Sequence, residues 1–316
     1  MKLHETEFGN VLGASGVQGF FGEGYPHYRI PLRTPDFRGM TSVWKTVTLK
    51  RRPGNIKKNR WILEYIFPSW ARVKWSSGHT LNAMGLPNIS LEALLELGIW
   101  QKYPNPSFIS IMAVEDTPEK RLDEMKAMVD IIGEHKNDFS APFGIQINRS
   151  CPNLRHNVIS DIVNFIKESC KGFEVASALG VPIMEKYAID TTPYQVVKEL
   201  NNHPSCDAIC VSNTLKFGWK EINWKKVWGS DVSPLAHLRG GGLSGPALLP
   251  HVCRWIEKLR DAGFTKPING GGGIFCKEDV DKYKNAGADS IFIGTVATHH
   301  PWRVQGIIQR ANQLKW

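Results

Sequence analysis

Apolar and polar residues alternate in short runs along this chain, and between most runs the apolar spacing lengthens to helical intervals. The run Phe143-Gly144-Ile145-Gln146-Ile147 predicts a buried strand, because successive strand side chains point to opposite faces. Comparable runs predict eight strands, at about residues 10–14, 42–48, 108–113, 143–148, 181–187, 207–212, 267–269 and 290–294. Thr117-Pro118-Glu119 caps and opens a helix in which Leu122, Met125, Val129 and Ile132 share one face. Further helices are expected over 91–98, about 158–179 with Gly180 at the end, from Thr192-Pro193 to about Asn201, over 277–286 before Gly287, and from near Pro301 onward. Ser244 is expected to begin another, with Leu248, Val252, Trp255, Ile256 and Leu259 on one face. Residues 17–40 and Asn82 to Asn88 keep no clean period and are expected to be loops.

Strands alternating with helices imply a parallel sheet, and eight such units imply a (β/α)8 TIM barrel. No composition break or linker interrupts the 316 residues, so one domain over 1–316 is expected. Hydrophobic residues at 42% and charged residues at 22% fit a globular protein. No apolar run is long enough to span a membrane, and Met1 to Glu7 lacks a signal-peptide pattern, so a cytoplasmic location is expected. Cysteines 151, 170, 206, 210, 253 and 276 follow no disulfide or metal spacing, which predicts reduced thiols and no metal.

The polar residues are placed at the strand ends. Ser15, Lys45, Asn148, Cys151, Lys186, Asn213, the glycines 271–273 and Thr295 each fall at or just after a predicted C-terminal strand end. In a barrel those ends share one face, which holds the active site. Glycine-rich ends on strands seven and eight suit a phosphate group. With lysines and amides but no carboxylate pair, this set fits a phosphorylated cofactor such as FMN at the C-terminal face, with Cys151 as general base. Asn82, Asn148, Asn153 and Asn213 suit a ring bearing amide and carbonyl groups. By itself, Asn148-Arg149-Ser150-Cys151-Pro152-Asn153 also reads as a structural cysteine beside turn-forming asparagines.

Several motifs in order resemble the dihydroorotate dehydrogenase family, in its cytosolic, cysteine-using class 1. They are Ala14-Ser15-Gly16, Lys45-Thr46, Asn82 to Asn88, Asn148 to Asn153, Lys186, Ser212-Asn213-Thr214, Gly241 to Gly245, Gly272-Gly273-Ile274 and Gly294-Thr295. The resemblance implies that (S)-dihydroorotate is oxidised to orotate in pyrimidine (UMP) biosynthesis. Cys151 would take the C5 proton, with hydride passing from C6 to N5 of FMN. It implies substrate contacts from Lys45, Asn82, Asn148, Asn153, Asn213, Thr214 and the backbone of Met84, Gly85 and Leu86. FMN would meet Ala14, Ser15, Gly16, Lys45, Thr46, Asn82, Asn148, Lys186 and Val211. Its phosphate would meet Ser244, Gly245, Gly272, Gly273, Gly294 and Thr295. A homodimer is implied, and an electron-transfer subunit would be needed if NAD is the acceptor.

The chain departs from that pattern in places. Arg149 follows Asn148 where a small or aliphatic residue is usual, and Leu154-Arg155-His156-Asn157 lacks the usual glycine. A dihydropyrimidine dehydrogenase-like enzyme acting on dihydrouracil is the neighbouring alternative. Net charge is +9, and Arg29 to Lys74 holds twelve Lys or Arg against Asp36 and Glu64. With Trp61, Tyr65, Trp70 and Trp75 interleaved, that stretch admits an RNA-binding barrel, although a solvated basic face explains it more simply, and no nucleic-acid partner is expected. His299-His300 lacks a third metal ligand and is expected to start the final helix.

Overall fold

The computed structural model describes residues 1–30, 34–56, 68–149 and 162–316. In chain order its strands are β1 (Lys2–Leu3), β2 (Thr6–Glu7), β3 (Val11–Gly13), β4 (Ser42–Val43), β5 (Ala71–Lys74), β6 (His79–Asn82), β7 (Ser107–Ile111), β8 (Phe143–Asn148), β9 (Ile183–Tyr187), β10 (Ala208–Val211), β11 (Leu215–Lys216), β12 (Gly242–Ser244), β13 (Ile268–Gly271) and β14 (Ser290–Ile293). Eight of them form one parallel sheet in the order β3-β14-β13-β10-β9-β8-β7-β4. Its two edges meet, because the Gly13 amide donates to Thr41 O and the Thr41 amide to Val11 O, both at 2.9 Å. The expected (β/α)8 barrel is therefore present, with shorter strands than the apolar runs suggest.

Strand alternation sorts the core into two layers. Leu12, Val43, Phe108, Met184, Ala208, Cys210 and Phe292 fill the barrel, with Leu3 and Phe8 plugging the end beneath. Ile109, Ile145, Ile147, Ile183, Ile209, Ile268 and Ile291 belong to the layer that packs under the helices. The strands are buried on both faces, as parallel strands are. Toward their C-terminal ends polar side chains enter the buried set: Ser110, Gln146, Asn148 and Lys186.

Flanking helices include Leu91–Glu96, Pro118–His135, Ile162–Ser177, Tyr194–Lys198, Leu249–Asp261, Lys277–Asn285 and Val304–Gln313. Thr117 caps its helix as expected, accepting from the Lys120 amide at 3.3 Å. Ser244 does not begin a helix. It ends β12, and the α-helix starts at Leu249, because Gly245 turns through φ +124° and Pro246 opens a short 3-10 turn first. His299 and His300 likewise do not begin the last helix; His299 ends the turn Val296–His299, and Pro301–Arg303 leads into Val304–Gln313.

A second sheet, antiparallel in the order β11-β12-β6-β5, was not expected from the sequence. Its strands come from the excursions that follow β4 and β10, both leaving the C-terminal ends of barrel strands. Asn82, expected in a loop, ends β6 opposite Gly242 and Ala71. Much of the basic aromatic stretch, residues 57–67, lies outside the described residues. Among the described residues, no helix is long and apolar enough to cross a membrane.

Candidate active site

A chain of polar side chains crosses the C-terminal end of the barrel. Ser15 Oγ lies 2.8 Å from Thr46 Oγ1, and Thr46 Oγ1 lies 2.9 Å from Ser110 Oγ. Ser110 donates to Gln146 Oε1 at 3.3 Å, and Asn148 Nδ2 donates to Thr46 Oγ1 at 3.3 Å. Asn213 Nδ2 then donates to Asn148 Oδ1 at 3.0 Å, while its own Oδ1 accepts from the Thr214 amide. Five strand ends are thus linked by neutral groups, each oriented by the next. A buried polar group that is hydrogen-bonded on both sides keeps one orientation, which is what recognition of a planar polar ring requires.

Two lysines flank this chain. Lys186 is buried on β9, with its Nζ 5.1 Å from the Phe292 ring centroid. Lys45 lies partly buried just beyond β4, its Nζ 4.9 Å from the Phe20 ring centroid. Burial lowers the Lys45 pKa to about 8, partly opposed by the charge of Glu23. Gly16 runs directly under Lys45, where a Cβ would meet Lys45 Cγ at 2.9 Å. Gly16 therefore presents bare backbone beside a cation, next to the small residues Ala14 and Ser15.

The glycines after β12, β13 and β14 converge. A Cβ on Gly273 (φ +81°) would fall 2.8 Å from the Leu249 amide nitrogen and 2.9 Å from Gly245 O. One on Gly245 would fall 2.6 Å from Gly78 O, and one on Gly294 would fall 2.9 Å from Ala14 Cβ. Gly272 is held by Tyr283, whose hydroxyl donates to its carbonyl at 2.6 Å. Backbone packed this closely can bring amides up to an anionic group. Thr295 stands at the head of Val296–His299, and Ser244 donates to Thr80 O at 3.4 Å.

Several of the other predicted residues take defined places. Met84 O accepts from the Asn55 amide at 2.9 Å, and Asn55 Nδ2 donates to Ala83 O at 2.5 Å. That brace holds Gly85 (φ +76°) and Leu86 (φ +58°) in left-handed geometry. Val211 ends β10, fully buried. Cys151 and Asn153 lie outside the described residues. Five other thiols are free, and burial raises the pKa of each; Cys210 and Cys253 reach about 12. None of those five suits a base near neutral pH.

Asn55 and His79 were missed in the sequence. His79 Nε2 accepts from the Ala247 amide at 3.2 Å, and burial lowers its pKa to about 4, so the imidazole stays neutral and able to accept. The pattern His79-Thr80-Leu81-Asn82 is the one local signal, and it is short. Among the described residues, no group of three potential metal ligands is present.

The family model for dihydroorotate dehydrogenase matches residues 1–314. Dihydroorotate dehydrogenase A (fumarate) of Limosilactobacillus reuteri is 27% identical over 298 residues, covering 92% of this chain and 84% of that protein. The catalytic subunit of dihydroorotate dehydrogenase B (NAD(+)) of Listeria welshimeri is 27% identical over 300 residues, with the same coverage. A solved ligand-free DHODH from Eimeria tenella superimposes with a TM-score of 0.66 at 18% identity, covering 96% of this chain and 83% of that one, a likeness of fold. A family match over nearly the full length, with relatives of both the A and B types, places the chain in the dihydroorotate dehydrogenase family, class 1, and makes it an oxidoreductase.

Proposed function

We propose that the protein oxidises dihydroorotate to orotate with FMN, as one barrel domain acting in pyrimidine biosynthesis. The observation that carries this reading is the Asn148–Asn213 hydrogen bond, 3.0 Å, set among strand-end groups that include Lys45 and Lys186. The residues fit the cofactor: a glycine cradle that any Cβ would fill, small residues at 14–16, and a buried cation at Lys186. Gly245, Gly272, Gly273, Gly294 and Thr295 would hold the phosphate, and Ser15, Thr46, Asn148 and Lys186 the ring system. When bound, FMN supplies the hydride acceptor.

The chain's own groups do the rest. Lys45 pairs with the substrate carboxylate, which dihydrouracil lacks, and so favours dihydroorotate. Asn82, Asn148, Asn153 and Asn213 hold the ring amides, with Met84, Gly85 and Leu86 offering backbone groups. Cys151, as thiolate, takes the C5 proton. The Lys186 cation stabilises negative charge that develops on the ring it faces.

The test is anaerobic mixing of the yellow protein with dihydroorotate or dihydrouracil while flavin absorbance is followed. Bleaching by dihydroorotate alone is expected. Bleaching by dihydrouracil alone, or a colourless protein that takes up no FMN, would remove the reading. Reoxidation with fumarate and with NAD then identifies the acceptor and whether a partner subunit is needed.

A further inference from the structure

Arg149, which the sequence pattern leaves without a role, sits behind the site. Asn148 and Lys186 are register partners at the ends of β8 and β9, and the Arg149 amide donates to Lys186 O at 3.1 Å. Strand alternation turns Asn148 and Lys186 toward the barrel interior and Glu185 toward the helices. Arg149 Nε donates to Glu185 Oε1 at 2.5 Å. Its Nη1 donates to Glu168 Oε1 at 3.0 Å, and its Nη2 to Glu168 O at 3.3 Å. Glu168, on the helix Ile162–Ser177, also takes a two-pronged contact from Arg121 on Pro118–His135, at 2.7 and 2.6 Å. Arg121 reaches on to Glu115 O and Asp116 O. The Tyr187 hydroxyl donates to the second Glu185 oxygen.

Two carboxylates and two guanidiniums therefore alternate along one line, balanced in charge. Glu185 is wholly buried, and the other three side chains are 10–13% exposed. Burial opposes the charge on Arg149, and the facing Glu185 and Glu168 more than offset it, leaving its pKa raised. The neighbouring helix accommodates the guanidinium with a glycine: a Cβ on Gly172 would fall 2.6 Å from Arg149 Nη2. A fork of fixed geometry that meets two carboxylates fixes position as well as charge.

We infer that Arg149 is a positioning residue, which clamps the ends of β8 and β9 to the helices behind them and so presents Asn148 and Lys186 together to the ring they bind. The clamp also neutralises Glu185, one residue from Lys186, from the outer side. This inference rests on the function proposed above.

The test compares the wild-type holoprotein with Arg149→Met/Glu185→Gln, which removes one charge of each sign and leaves Glu168 paired with Arg121. Amide exchange over 143–149 and 183–187 is expected to quicken by about tenfold, with the other barrel strands unchanged. The orotate dissociation constant, read from the flavin spectrum, is expected to rise by about tenfold, and kcat to fall. Arg149→Lys should recover part of both, since it keeps the charge without the fork. Gly172→Ala is the second variant: it keeps every charge and favours the helix, and, because its Cβ meets only the tip of the guanidinium, it should produce a smaller loss of the same kind. Unchanged exchange would overturn the clamp. Faster exchange with unchanged orotate affinity would make Arg149 a structural brace and overturn the positioning role. A wild-type protein that binds neither FMN nor orotate would remove the functional reading instead, with exchange still deciding the clamp.

Discussion

Asn148 Oδ1 accepts a 3.0 Å hydrogen bond from Asn213 Nδ2, so the two side chains fix each other's amide orientation. Asn148 is anchored further by its bond to Thr46 Oγ1, and Asn213 by its amide bond to Tyr187 O. Removing either asparagine should disorder the other. Asn148→Ala and Asn213→Ala should each weaken orotate binding by about tenfold, and the double variant should lose less than the sum, with a coupling of about 1 kcal/mol. Titration of orotate against the flavin spectrum of all four proteins measures it. Strict additivity would mean that the bond does no orienting.

The glycine cradle separates from general backbone strain by comparing two sites. Gly273 (φ +81°) and Gly263 (φ +90°) both adopt left-handed geometry, but a Cβ meets backbone at Gly273 and nothing within 4 Å at Gly263. Either alanine costs about 1–3 kcal/mol of backbone strain. Only Gly273→Ala should also release FMN, as read by flavin content after gel filtration. Equal flavin retention in the two variants would remove Gly273 from the cofactor site.

Cys151 is the group proposed above to take the C5 proton. Cys151→Ala should keep the yellow colour and slow flavin reduction by dihydroorotate by roughly 10²–10⁴-fold. Stopped-flow absorbance measures this directly. Reduction at the original rate would mean that another group takes the proton.

The barrel was legible because each strand is buried on both faces, and a polar residue such as Lys186 or Asn148 at the end of an apolar run stands out. The second sheet was not. Its strands are two to four residues long, and β6 finds its partner β12 far along the chain, so no local period announces it. Ser244 resembled a helix cap for the same reason: the pairing of Gly242 to Ser244 with Thr80 to Asn82 is invisible locally, and only the Gly245 turn separates strand from helix. Arg149 looked anomalous because its partners come from a strand and from a helix that the sequence does not align with it. Glu185, a lone carboxylate inside the apolar run of β9, was the available hint.

Lys45 supplies a pH test with a definite sign. Burial has lowered its pKa from about 10.5 to about 8, so the ammonium is lost from the folded site as pH rises through 8. Orotate affinity should therefore fall above about pH 8, by up to about tenfold per pH unit. A ligand without a carboxylate should show no such fall. The same shift acts on stability. Between about pH 8 and 10.5 the unfolded chain binds the proton that the folded one has lost, so Lys45's contribution to stability rises with pH across that window. Below pH 8 the charged side chain carries its full burial penalty. Lys45→Met should accordingly unfold at a higher temperature than wild type at pH 7, with the gap closing by about pH 10.5, while losing the pH dependence of orotate binding. A lower melting temperature for Lys45→Met at pH 7 would mean that the ammonium is stabilised in the fold and is not held there for the ligand.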